Sequence, residues 1–155
     1  MIDKTDDVYK ENANELGKIK RGTRKERFKI PVPVIGEAFL ILNEKKPIGV
    51  KREAFKLLED LIAKRKIELI AFGRDSTAFG FAKDLMDHCN TTYYQQDILG
   101  PMDALIIADA IIDNECSKIY TNDSMMLVDL SLHEKVNEIR SNIHPSYPEL
   151  LFSKL

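Results

Sequence analysis

The sequence predicts an α/β fold with a mainly parallel sheet, and three observations carry that prediction. Amphipathic helical stripes alternate with short apolar runs of strand length, the order of elements that builds parallel sheets flanked by helices. The chain has 155 residues, 44% hydrophobic and 31% charged, which is enough apolar surface for one core and too much for a disordered chain. Its seven Gly, six Pro and two Cys exclude a collagen-like repeat and a disulfide scaffold. A single domain over residues 1–155 is expected, with residues 144–155 as a C-terminal tail. No apolar run reaches the ~18 residues of a membrane span. The opening MIDKTDDVYKENANEL is too polar for a signal peptide, so the expectation is a soluble cytoplasmic protein without membrane contact. Cys89 and Cys116 lack a CxxC spacing or a nearby His partner and read as two reduced core thiols.

The first predicted helix runs from about Asp7 to Lys20, with Tyr9, Ala13, Leu16 and Lys20 near helical spacing and Gly17 or Gly22 at its end. Lys18 to Lys29 (KIKRGTRKERFK) then carries seven basic residues and one acid, a local charge of +6 against −8 on the rest of the chain. Taken alone, such a run is first of all a solvated loop. It is also a reasonable contact for a phosphate backbone, since each Lys or Arg that meets a phosphate releases condensed counterions. Phe28 to Val34 (FKIPVPV) alternates like a strand, but Pro31 and Pro33 lack N–H groups, so it pairs along one side only. Pro33 equally suits the opening of the helix through Val34, Ile35, Glu37, Phe39, Leu40 and Leu42.

The clearest period in the chain lies between Lys51 and Lys66, where Ala54, Leu57, Leu58, Leu61 and Ile62 form one helical stripe. Ile67 to Phe72 reads as a strand closed by Gly73. A helix follows from about Ser76 to His88, with Ala78, Ala82, Leu85, Met86 and Cys89 on one side and Gly80 weakening it. Asn90 to Gly100 reads as a polar loop whose Tyr93 and Tyr94 either anchor the loop or stack on bases. Met102 to Ile112 is apolar nearly all round and fits a helix packed centrally. Lys118 to Thr121 is a strand, followed at once by Asn122-Asp123-Ser124 and a short apolar helix. The tail holds Tyr147, Leu150, Leu151, Phe152 and Leu155, which cover the core or meet another subunit.

Three carboxylates occupy places the pattern would make apolar. Glu37 shares a helical face with Leu40 and Ile41 and is expected to look inward. Asp103 opens the apolar helix below Ile106, Ile107 and Ala110, and Asp123 follows a strand, beyond the carboxyl end of the sheet where open α/β folds place ligands. Each has a structural explanation: Asp103 meets the positive end of a helix dipole, Asp123 caps the next helix, and Glu37 pairs with a lysine. If the three converge, their repulsion calls for a cation. Hard carboxylate oxygens favour Mg²⁺ or Mn²⁺, and such an ion beside a basic loop points to phosphodiester hydrolysis. Asp109 and Asp113 read as solvated or structural. A P-loop, a GxGxxG turn, an HExxH pair and a GxSxG elbow are all absent from the sequence.

These segments resemble a known family. Pro101 to Ile111 (PMDALIIADAI), followed by Ile119 to Asp123 (IYTND), is similar to the second half of a PIN domain, the ribonuclease fold of VapC-type toxins. Pro31 to Leu40 (PVPVIGEAFL) resembles that family's earlier acidic helix, and the likeness spans roughly Asp6 to Leu130. It implies a three-layer fold with a central, mainly parallel sheet flanked by helices. It also implies Glu37, Asp103 and Asp123 as metal-site acids, with the Thr121 hydroxyl orienting Asp123 or a water. The implied activity is Mg²⁺- or Mn²⁺-dependent endonuclease action on single-stranded RNA, in a homodimer restrained by an antitoxin protein. Lys18, Lys20, Arg21, Arg24, Lys25 and Arg27 are the expected RNA-binding residues. The family's first strand, ending in an acid, has no counterpart here, since only Met1 and Ile2 precede Asp3. The N-terminal central strand is therefore expected to be absent or replaced, through an internal start or genuine loss, and catalysis to be impaired. The alternative is a non-catalytic PIN-like module that binds RNA or protein. A phosphatase or receiver-like domain fits less well, for want of an Asp-x-Asp pattern and a lysine partner.

Overall fold

A computed structural model describes residues 14, 17–19, 21, 26–45, 48–71, 76–92 and 99–154. The chain divides after Ala71 into two compact units. Most of the predicted first helix lies outside the described residues, although Asn14, Gly17 to Ile19 and Arg21 are helical, so Gly17 does not end it. Tyr93 and Tyr94 also lie outside.

In the first unit, β1 (Phe28–Pro31) runs into α1 (Val32–Lys45), then α2 (Ile48–Ala63) and β2 (Ile67–Ile70). The two strands pair in parallel, with Phe28 opposite Ile67 and Pro31 opposite Ile70. The strand reading of FKIPVPV holds for Phe28 to Pro31, which among the described residues pairs with β2 alone, and the helix reading holds from Val32, with Pro33 in the first turn of α1, where a missing N–H costs nothing. Leu61 of α2 and Ile67 of β2 are buried with Ile19, and Phe28, Ile30 and Leu57 pack around them. Phe39 meets Phe55 edge to face at 4.6 Å and joins α1 to α2.

Helix α2 closes through main-chain bonds. The Lys66 N–H reaches the Leu61 carbonyl at 2.9 Å and the Arg65 N–H reaches that of Ile62 at 2.9 Å, the paired pattern of a Schellman end. Arg65 takes the left-handed conformation this end demands, with φ 53°, where glycine is the usual residue.

The second unit contains α3 (Ser76–Thr92), α4 (Pro101–Ile112), β3 (Lys118–Tyr120), α5 (Ser124–Val128), α6 (Leu130–Ile143) and β4 (Leu151–Ser153). Helix α3 continues past His88 through residues 90–92, which the sequence placed in a loop. Gly80 lies exposed within it with open space where a side chain would stand. Ala78, Ala82, Leu85 and Cys89 form its buried stripe, and α3 packs against α4 and α6. Strands β3 and β4 are parallel, with Ile119 opposite Phe152. The tail is thus partly a strand: the Leu151 N–H bonds to the Ser117 carbonyl, and the Thr121 N–H to that of Ser153. Leu150 is buried beside it.

Among the described residues Arg140 of α6 is the largest fully buried side chain, at 1% exposure. Its Nε donates to the Pro148 carbonyl at 2.7 Å, and Nη1 to Ala110 at 2.6 Å and Ile111 at 2.9 Å. Nη2 donates to the carbonyls of Asp113, at 3.0 Å, and Cys116. Removing this charge from water lowers its pKa from the ordinary arginine value, and neighbouring groups only partly offset that. Arg140→Met leaves those carbonyls to find other donors, so urea melts of the full chain are expected to show a loss of about 3 kcal/mol or more. Arg65→Gly relieves the left-handed residue and is expected to raise stability by about 0.5–1 kcal/mol in the same melts, the looser unfolded chain offsetting part of the gain.

Candidate functional site

Of the four residues predicted to form a centre, Glu37 belongs to the first unit and Asp103, Thr121 and Asp123 to the second. Glu37 is exposed on α1, as are Gly36, Ala38, Phe39 and Leu40 around it, which corrects its expected inward orientation. Leu40 is 62% exposed. The helical spacing identified residues on a shared face, but of that face Glu37 and Leu40 are exposed; among the described side chains of α1 the partly covered ones are Pro33, Val34 and Ile35.

In the second unit, Asp103 sits half-buried in the first turn of α4, behind the N-cap Gly100 and Pro101. Its Oδ2 turns back over the start of the helix, 3.5 Å from where a side chain on Gly100 would begin. A carboxylate there meets the positive end of the helix dipole. At the far end of α4, a turn closed by the Cys116 N–H on the Asp113 carbonyl at 3.1 Å reverses the chain into β3. Strand β3 follows that turn, with Thr121 directly after its last residue and Asp123 two residues further on.

Asp123 is the N-cap of α5, its Oδ1 accepting the Met126 N–H at 3.0 Å. Thr121 Oγ1 accepts the Asp123 N–H at 3.0 Å. The threonine therefore fixes the main chain of Asp123 rather than its carboxylate. The cap occupies one carboxylate oxygen; Oδ2 stands on an exposed residue with no hydrogen bond among the described residues. Asp109, expected to be solvated or structural, is buried within α4 and is structural.

Of the expected RNA-binding residues, Lys18, Arg21 and Arg27 are exposed, while Lys20, Arg24 and Lys25 lie outside the described residues. Arg27 pairs with Glu68 across the two strands at 3.6 Å, an exposed pair that contributes little to stability.

Among the described residues no group of three or more His, Cys, Asp or Glu side chains is placed to hold a metal ion. Mg²⁺ does not require one, because it keeps several waters and binds through one or two carboxylates plus substrate phosphates. Asp103 and Asp123 are hard oxygen donors of the kind that ion takes. No helix of the described residues is long and apolar enough to cross a membrane.

Sequence reasoning missed a second cluster of polar groups in this unit. Asp129 is buried between α5 and α6, and its Oδ1 accepts the Leu132 N–H at 3.1 Å as the N-cap of α6. Its Oδ2 is buried without a hydrogen-bond partner. The signal was present: an Asp three residues before Leu132 is an N-cap pattern. His88 contacts the Ser131 hydroxyl at 2.8 Å across α3 and α6. His133 contacts the Met126 carbonyl at 2.6 Å and stacks on Phe152.

Both cysteines are free, Cys89 buried and Cys116 half-buried. Burial pushes the Cys89 thiol above its ordinary pKa, and the Asp129 charge adds to the rise. A raised folded pKa contributes stability that is complete below the unfolded thiol value of about 8.5 and declines as pH rises through the folded value. A thiol reagent is therefore expected to label Cys116 in the native chain and Cys89 only on unfolding, and melts are expected to show stability falling above about pH 8.5. In comparisons with known proteins, no family model matches the chain, and neither a curated protein nor a solved structure does.

Proposed function

We propose that this chain is a PIN-type single-strand endoribonuclease with a three-layer fold, dependent on Mg²⁺ or Mn²⁺. The observation that carries the reading is Asp123: held at the end of β3 by Thr121, it gives one carboxylate oxygen to the α5 cap and keeps the other exposed. The strand pairing supports it too. Each unit holds one parallel pair joined by a helical crossover, and neither pair extends to a third strand among the described residues. In this reading the homodimer and the antitoxin protein remain the partners the resemblance implies, and cytoplasmic location follows from them.

Asp103 and Asp123 of the second unit would hold the cation. When bound, a divalent ion supplies charge for the phosphoryl oxygen and acidifies the attacking water. The chain's own part is to bind and orient. Thr121 fixes the main chain under Asp123, and Lys18, Arg21 and Arg27 neutralise the RNA backbone with the remaining cations of their segment.

A second reading rests on the same side chains. Asp123 caps α5 and Asp103 answers the dipole of α4, and those roles alone suit a non-catalytic module that binds RNA or protein. Asp123→Ser separates the two, because serine caps a helix as well as aspartate but offers no carboxylate. The nuclease reading expects calorimetry on the full chain to show saturable Mn²⁺ binding that falls at least about tenfold in Asp123→Ser, while stability stays within about 0.5 kcal/mol. It also expects slow, EDTA-sensitive cleavage of single-stranded RNA that Asp103→Asn abolishes. Unchanged Mn²⁺ binding in Asp123→Ser overturns it in favour of the module.

A further inference from the structure

A cleft of about 210 Å³ opens in the first unit at the amino ends of β1 and β2, and three cations line it: Arg27, Arg65 and Lys66. Its apolar wall is Phe28, Ile62 and Ile67. Glu68 is the one acid in the lining, and it already pairs with Arg27 at 3.6 Å. Arg65 and Lys66 are exposed and have no acidic partner among the described residues. We infer that this cleft binds a nucleotide phosphate, the phosphoryl group against Arg65, Lys66 and Arg27 and the attached nucleoside against the apolar wall.

The cations beyond α2 have an ordinary explanation, which is to answer the negative end of the helix dipole. That end is already closed by main-chain donors. The carbonyls of Asp60, Leu61 and Ile62 accept the N–H groups of Lys64, Lys66 and Arg65. The side chains are therefore not needed as caps, and Arg65 occupies a left-handed position that glycine fills at lower cost. A strained residue whose charge stands in a cleft beside two further cations marks a place where binding outweighs stability. The site also turns a linear basic segment into a two-sided one, since Arg27 precedes β1 while Arg65 and Lys66 precede β2. It shares only Arg27 with the basic segment discussed above and stands even if the acids hold no metal.

The test is amide NMR on the ¹⁵N-labelled full chain in EDTA, titrated separately with inorganic phosphate and with a short single-stranded oligouridylate. Saturable shifts are expected at Arg27, Phe28, Arg65 and Lys66. Saturation by both probes at the same amides assigns the phosphoryl group itself, and saturation by the oligouridylate alone assigns an internucleotide phosphate; each supports the site. The Arg65→Asn, Lys66→Gln double variant keeps a residue that tolerates the left-handed turn and removes two charges. It is expected to bind the oligouridylate about tenfold more weakly, with a salt slope shallower by about 1.4, two phosphate contacts at about 0.7 each. Arg65→Gly is expected to bind more weakly while melting higher, so loss of binding is not loss of fold. Lys56→Gln with Lys64→Gln removes the same charge outside the cleft and is expected to leave binding unchanged. No saturable shift with either probe, or an equal loss in that control, overturns the inference.

Discussion

The second unit depends on one buried cation. Arg140 lies in the interior without water, and a bare charge there would cost several kcal/mol. The structure meets that cost with main-chain carbonyls from three places: the last turn of α4, the turn leading into β3 and the segment before β4. Two of those carbonyls, of Ala110 and Ile111, are orphans that a helix end always leaves. The guanidinium therefore caps α4 and fixes the start of β3. Its Nε holds the Pro148 carbonyl, from which the chain enters β4. Asn137, one turn earlier on α6, exchanges bonds with the Leu150 main chain in both directions and sets the same segment.

This arrangement bears on the candidate site through geometry alone. Asp103 and Asp123 stand at opposite ends of a helix–turn–strand segment, and the turn between them is the part Arg140 holds. Arg140 thus acts on the segment that carries both carboxylates, from the end of α4 remote from Asp103.

Much of this architecture is legible in the sequence. The stripe from Ala54 to Ile62 lies within α2, because a helix with one covered face must repeat near 3.6 residues. β2 was readable from a short apolar run, and the cap at Asp123 from its neighbours. The acids were harder. Glu37 shares a face with Leu40, but periodicity tells which residues point together and not whether another element covers them. Asp109 lies among apolar neighbours that promised burial, and its charge argued the other way. α6 escaped notice because its stripe of Leu132, Val136 and Ile139 is broken by an arginine, and the deepest position of the helix looks like its most solvated. β4 is three residues long, too short for alternation to declare itself.

Asp129 ends α5 and begins α6, so a single residue forms the corner between two helices. The Asp129 N–H bonds the Met125 carbonyl while its Oδ1 accepts the Leu132 N–H. One residue inserted there would part these two bonds, and no single residue could then close α5 and open α6 together. The corner has no residue to spare, and lengthening it costs one helix its closing bond or the other its cap.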